Sequence, residues 1–161
     1  MKPIRVGLLG IGTVGSGVFT VLSRNAAEIA RRAGRGIELV AVADPGGDKF
    51  GVAGGLTVLP DVESLIEEGI DAAIVAVPTV YHEDAALKLA AAGVHTMIEK
   101  PLSGSVESGE RIAKAFDEAG LVGAVGYVER CNPALLDMRR RIAEGQLGEV
   151  YQVVTRRQSP Y

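Results

Sequence analysis

The chain has no tryptophan, one cysteine and an aromatic content of only 4%. Scarce rings exclude a core built on large aromatic side chains, so aliphatic residues must fill it. A lone Cys131 excludes a disulfide framework or a cysteine-rich zinc site within one chain, and no metal site is expected. No apolar run reaches the roughly 20 residues a membrane-spanning helix needs. An excess of one charge is missing too. The 17 basic side chains face 20 acidic ones, for a net charge of −3, and no basic face suited to nucleic acid is evident. The first apolar run is short and broken by glycines, unlike a signal peptide. The cytoplasm is therefore the expected compartment, without membrane or nucleic-acid partners.

Glycine is plentiful, at 21 of 161 residues. Hydrophobic residues make up 47% and charged residues 23%, the balance of a globular domain. The most telling glycines follow the strand-like run Ile4-Arg5-Val6-Gly7-Leu8-Leu9. They are Gly10, Gly12 and Gly15, in the pattern G-x-G-x-x-G, and a helix-like run follows over 16–24. Strand, glycine turn and helix come in the order a dinucleotide site needs. Gly10 permits the tight turn, Gly12 lets the backbone approach a pyrophosphate, and Gly15 lets helix and strand pack closely. The helix start, with Thr13 and Val14, offers free N–H groups and a partial positive charge to phosphates.

A second strand over 38–43 ends in Asp44, placed to accept hydrogen bonds from adenosine ribose hydroxyls. Its separation from Gly10 exceeds the usual ~20 residues, and an insertion over 25–36 accounts for the excess. Asp44 is followed by Pro45-Gly46-Gly47, with no arginine to meet a 2′-phosphate, so NAD is favoured over NADP. The arginines at 31, 32 and 35, and those at 139–141, read as solvated charges at helix ends.

The same alternation continues. A glycine-rich stretch over 45–55 precedes a short strand at 56–59 and a helix capped by Asp61. Strands at 71–77, 94–98 and 121–128 alternate with helices at 81–92 and 106–119. The second of these helices places Gly109, Ile112, Ala113 and Phe116 on one face. Asn132 and Pro133 suit the cap and first turn of a helix running to 144. Such alternation predicts an α/β fold, a doubly wound parallel sheet. A last strand over 148–157 has no partner downstream. It adds to a sheet edge, pairs with another molecule to form a homo-oligomer, or frays.

Ligands of open parallel sheets sit beyond the carboxyl ends of the strands. After the fourth strand come Pro78, Thr79 and His82. Pro78 and Thr79 suit the path from adenosine to nicotinamide, unless Thr79 caps the next helix. His82 either contacts the cofactor or is an exposed polar residue. The fifth strand ends in Glu99-Lys100-Pro101. Lys100 is placed to hydrogen-bond a substrate hydroxyl and stabilise alkoxide charge as hydride leaves, or to shuttle a proton; Glu99 is placed to accept from the nicotinamide ribose, unless the two form a surface ion pair before a proline turn. After the sixth strand, Tyr127 contacts the nicotinamide side or packs. Arg130 holds an anionic substrate group or pairs with Glu129 or Glu99. Asn132 reads as a helix cap and Cys131 as a packed thiol.

From about Leu39 onward the chain resembles the Gfo/Idh/MocA oxidoreductases. The resemblance rests on 39–45, Val77-Pro78-Thr79 with His82, Glu99-Lys100-Pro101, 126–130 with Asn132-Pro133, and 145–150. Together, 129–133 and 156–160 look like the subgroup acting on nucleotide sugars. The resemblance implies a Rossmann NAD(P)-binding fold over 1–145 and NAD(P)-dependent oxidation of a sugar-type secondary alcohol, with Lys100 beside the nicotinamide and the reacting carbinol. It also implies that 146–161 are the first strand of a substrate domain otherwise absent. The segments 6–18, 25–35 and 37–40 instead resemble the opening of a homoserine dehydrogenase. The two resemblances meet near 39–44, the pattern of a mosaic. Two other readings stay open: an NAD-binding module without turnover, and a homoserine dehydrogenase-related fragment.

Overall fold

Ile4–Leu9 forms strand β1, and its alternate side chains already divide the molecule into two layers. Leu9 faces one core and Leu8 the other. The same period of two runs through β2 (Ile37–Ala43), where Ala41 and Ala43 face one side and Val42 the other, and through β4 (Ala72–Val75), where Ala73 and Val75 oppose Ile74. A strand buried on both faces needs a near-continuous apolar run, and these strands have one, interrupted only near their starts by the exposed Arg5 and Glu38. The computed structural model describes residues 2–49, 51 and 53–156.

The sheet is completed by β3 (Val58–Leu59), β5 (His95–Ile98) and β6 (Gly123–Val125). All pairings are parallel, in the order β3-β2-β1-β4-β5-β6. The winding order reverses between β1 and β4, so the connections leaving their carboxyl ends run to opposite faces and leave a crevice there. Helix α1 (Thr13–Arg24) covers one face with Val18 and Phe19. On the other face lie α3 (Val62–Glu67), α4 (His82–Ala91) and α5 (Val106–Glu118), contributing Leu65, Leu89, Ile112 and Phe116. The 25–36 insertion is helix α2 (Ala26–Ala33), closed by Gly34 at φ +69°. Its Arg31 and Arg32 both pair with Glu28 in solvent, as the helix-end reading expects.

The structure confirms the Asp61 cap, whose carboxylate accepts from the Ser64 N–H at 2.8 Å. It corrects the face of α5: Ala113 is exposed, while Ser108, Ile112 and Phe116 are buried. Among the described residues no helix is long and apolar enough to cross a membrane.

The chain divides into two compact units between Gly126 and Tyr127. In the second, Asn132 caps α6 (Pro133–Ala143) by accepting from the Ala134 N–H at 3.0 Å, with Pro133 in the first turn. Asp137 pairs with Arg140 and Arg141. Cys131 is exposed, not packed as the sequence suggested. The strand expected over 148–157 does not form over 148–156. With no neighbouring strand to satisfy its backbone, the apolar alternation there is insufficient to make one. Residues 157–161, including much of the 156–160 segment, lie outside the described residues.

Candidate cofactor-binding site

The three glycines meet different surroundings. Gly10 has φ +92°, and a Cβ there would lie 2.8 Å from the Ala76 carbonyl oxygen. A Cβ on Gly15 would lie 1.9 Å from the carbonyl oxygen of Gly10, so only glycine lets α1 start against the turn. Around Gly12 nothing comes within 4 Å. Gly12 is exposed and serves as the N-cap of α1 without any side-chain cap. The first N–H groups of α1 thus lack an intrahelical partner and face open space. Two glycines are demanded by the fold, and the third keeps a cradle clear for an anion. Gly12→Val should therefore leave the midpoint of thermal unfolding almost unchanged while weakening NAD binding at least tenfold, read by calorimetric titration.

Asp44 follows β2 and is tied to this turn. One carboxylate oxygen accepts from the Ile11 N–H at 2.9 Å, the other from the Gly46 N–H at 2.7 Å. Gly10, Gly12, Asp44, Pro45, Val77 and Pro78 all line one cleft of about 530 Å³, within the range of small-molecule sites. Its outer lip is polar and internally paired. Lys88 bonds Glu63 at 2.7 Å and Asp84 at 2.9 Å, which raises its pKa above the ordinary lysine range. The Ser64 hydroxyl and N–H hold the Asp61 pKa below the ordinary carboxylate range.

Glu99 and Lys100 follow β5 on the same carboxyl edge. Val75 pairs with Ile98, and the Glu99 N–H donates to the Val75 carbonyl at 2.9 Å, so Lys100 runs alongside the segment leading to Pro78. A Glu99 carboxylate oxygen accepts from the Lys100 N–H at 3.2 Å. The Lys100 ammonium is exposed and has no hydrogen bond or ion pair among the described residues. Gly126 is where this carboxylate passes; a Cβ there would lie 3.1 Å from a Glu99 oxygen.

His82 is not the exposed polar residue that one reading of the sequence allowed: it is 1% exposed and does not line the cleft. Its Nε2 lies 2.9 Å from the Val77 carbonyl oxygen, and its Nδ1 lies 3.0 Å and 3.2 Å from those of Pro101 and Leu102. The ring bridges the loops after β4 and β5, the second of which carries Lys100. Thr79 is half-buried and makes no side-chain capping bond, so its cap reading fails. Thr79, Glu99 and Lys100 share the edge but do not line the cleft. Tyr127 and Arg130, both exposed, belong to the second unit. Lys49, Tyr81 and Lys88, which line the cleft, went unnoticed in the sequence. Lys49 sits in a glycine-rich loop with no periodicity to place it, while helical spacing put Lys88 on the first helix after Pro78.

A crevice at the reversal of a parallel sheet, with an open glycine turn and an acidic residue after the second strand, defines a dinucleotide-binding domain. The match to a family model says which kind: over residues 4–127 the chain belongs to the Gfo/Idh/MocA oxidoreductase family, with an NAD-binding Rossmann fold. That match ends beside the boundary between the two compact units. The chain is 38% identical over 87 residues, 54% of its length and 25% of the relative's, to a scyllo-inositol 2-dehydrogenase (NAD(+)) of Bacillus subtilis. It is 73% identical over 44 residues, 27% of its length and 11% of the relative's, to a homoserine dehydrogenase of Methylobacillus glycogenes. Among solved structures it resembles the WlbA dehydrogenase of Bordetella pertussis, crystallised with NADH and UDP-GlcNAcA. The TM-score is 0.78 at 30% identity, covering 93% of this chain and 45% of that one. The matched part thus spans less than half of each of these relatives.

Proposed function

We propose that this chain forms the cofactor half of a dehydrogenase that moves hydride between NAD and a secondary alcohol of the sugar type. The observation that carries the reading is Lys100: an unpaired ammonium at the end of β5, on the same sheet edge as the glycine cradle. The open space at Gly12 fits a pyrophosphate, and Asp44 keeps acceptor capacity for ribose hydroxyls beyond its two backbone bonds. Bound NAD supplies the hydride acceptor. Lys100 hydrogen-bonds the alcohol and stabilises negative charge on its oxygen, and Glu99 accepts from the nicotinamide ribose. Arg130 and Tyr127 are assigned to the substrate side. A nucleotide sugar is the favoured substrate, in keeping with the ligand of the Bordetella relative.

The test is calorimetric titration with NAD, followed by absorbance assays of NADH formation with inositols, nucleotide sugars and L-homoserine. Lys100→Met should lower turnover by about 100-fold or more and leave NAD affinity within about twofold. An unchanged rate would overturn the role of Lys100. NAD binding without turnover on any alcohol would leave a cofactor-holding module. The short, steep homoserine dehydrogenase match supports a second reading, in which the opening segment comes from that lineage and homoserine is oxidised.

A further inference from the structure

His82 is a buried polar side chain that the hydride chemistry leaves unused. Its ring nitrogens approach backbone carbonyl oxygens on both sides, that of Val77 on one and those of Pro101 and Leu102 on the other. These carbonyls belong to the segments that leave β4 and β5. The ladder between the two strands ends where the Glu99 N–H donates to the Val75 carbonyl at 2.9 Å. Beyond that bond, among the described residues, no backbone hydrogen bond joins 76–81 to 100–105. The imidazole thus takes the place of the next rung, where the backbone ladder has stopped.

Glu99 and Lys100 lie between these two ties. The Glu99 N–H holds the corner at its start, and the Pro101 and Leu102 carbonyls hold it at its end. The Lys100 ammonium has no bond of its own to orient it, so the backbone on either side aims it. The Glu99 carboxylate turns back to the Lys100 N–H at 3.2 Å, so a shift of this backbone carries both side chains. Packing of the Leu102 side chain against the core fixes that side chain and not the carbonyls. A buried carbonyl deprived of its donor turns to find another, and here that turn would swing the corner.

We propose that His82 is a positioning residue for the nicotinamide end of the site, fixing the Glu99–Lys100 corner through the Pro101 and Leu102 carbonyls. This rests on the placement of Glu99 and Lys100 at that end of the cofactor. His82 itself lies outside the cleft lining and acts through backbone alone.

The experiment reads the corner in the full chain, first without nucleotide and then with it, in His82→Leu and His82→Gln. Amide hydrogen exchange reads the unliganded protein. In His82→Leu the Glu99 amide should exchange about tenfold faster or more, relative to the Thr96 and Met97 amides of the same strand. Calorimetric titration compares NAD with ADP, which lacks the nicotinamide riboside. His82→Leu should weaken NAD about fivefold or more and leave ADP within about twofold. His82→Gln keeps an N–H donor and should recover part of both losses. In a Glu99→Gln background, His82→Leu should weaken NAD no more than about twofold further, because the loss is transmitted through that corner. If the leucine variant unfolds by circular dichroism, the same comparisons on His82→Gln decide, with smaller shifts in the same direction. Exchange at Glu99 that merely follows the rest of β5 overturns the role of His82, whether or not nucleotide binds. Equal weakening of NAD and ADP, or equal effects of leucine and glutamine, overturns it as well. If the Glu99 amide is selectively freed but the unaltered chain binds no nucleotide, His82 still fixes the corner and the cofactor reading is what fails.

Discussion

Gly15→Ala should lower the unfolding free energy by about 3 kcal/mol and abolish measurable NAD binding. An alanine Cβ would sit 1.9 Å from the Gly10 carbonyl oxygen, far inside any tolerable contact. The obstacle is backbone and cannot swing aside as a side chain would. Either α1 moves away from the sheet, stripping Val18 and Phe19 from the core they help close, or the turn itself moves. Movement of the turn displaces Ile11, whose N–H is anchored on Asp44, and so disturbs both ends of the cradle together. Urea unfolding and calorimetric titration measure the two losses. The comparison with Gly12→Val is diagnostic, because that change should affect binding alone. Equal stability of Gly15→Ala and the unaltered chain would show that α1 is not seated against Gly10.

His82→Leu should cost about 3 kcal/mol of stability. Leucine matches much of the buried volume but donates nothing, leaving the Val77, Pro101 and Leu102 carbonyls to lose their shared partner. The carbonyl oxygens can only accept, so whatever holds them is a ring N–H, and which nitrogen carries it depends on the tautomer. His82→Gln, which retains an N–H donor group, should recover part of the loss. Urea unfolding of both variants checks this. Equal destabilisation by leucine and glutamine would show that packing, and not hydrogen bonding, is what His82 provides.

The doubly wound parallel sheet was legible because each core strand is a largely apolar run followed by a turn or cap signal and alternates with a helix. Glycine spacing and the Asp44 placement were readable for the same reason: they are local. His82 was not. Its partners lie up to 20 residues away, at Pro101 and Leu102, and no local pattern distinguishes a buried bridging ring from an exposed one. The strand over 148–157 was misread because alternation records a preference for pairing, while a strand exists only where a neighbour supplies the other half. Cys131 was misjudged by its neighbours: it falls in a 3-10 turn whose side chains are exposed, a setting that an average preference of cysteine for burial does not reveal.

Gly126 has a bearing on how such a domain is joined to others. Its N–H donates to the Ile98 carbonyl at 2.8 Å, and its missing side chain leaves room for the Glu99 carboxylate. The last residue of the first unit is thus matched to a residue of the β5 edge well before it in the chain. A crossover that replaced everything after β5 would pair Glu99 with a foreign residue at 126, and a Cβ there, 3.1 Å from a carboxylate oxygen, would make the carboxylate give way by a few tenths of an ångström. A crossover beyond Gly126 keeps the matched pair in one inheritance. Exchange of the downstream half is therefore free of this constraint only on the far side of that glycine, which makes residue 126 a natural seam for recombining the cofactor domain with new partners.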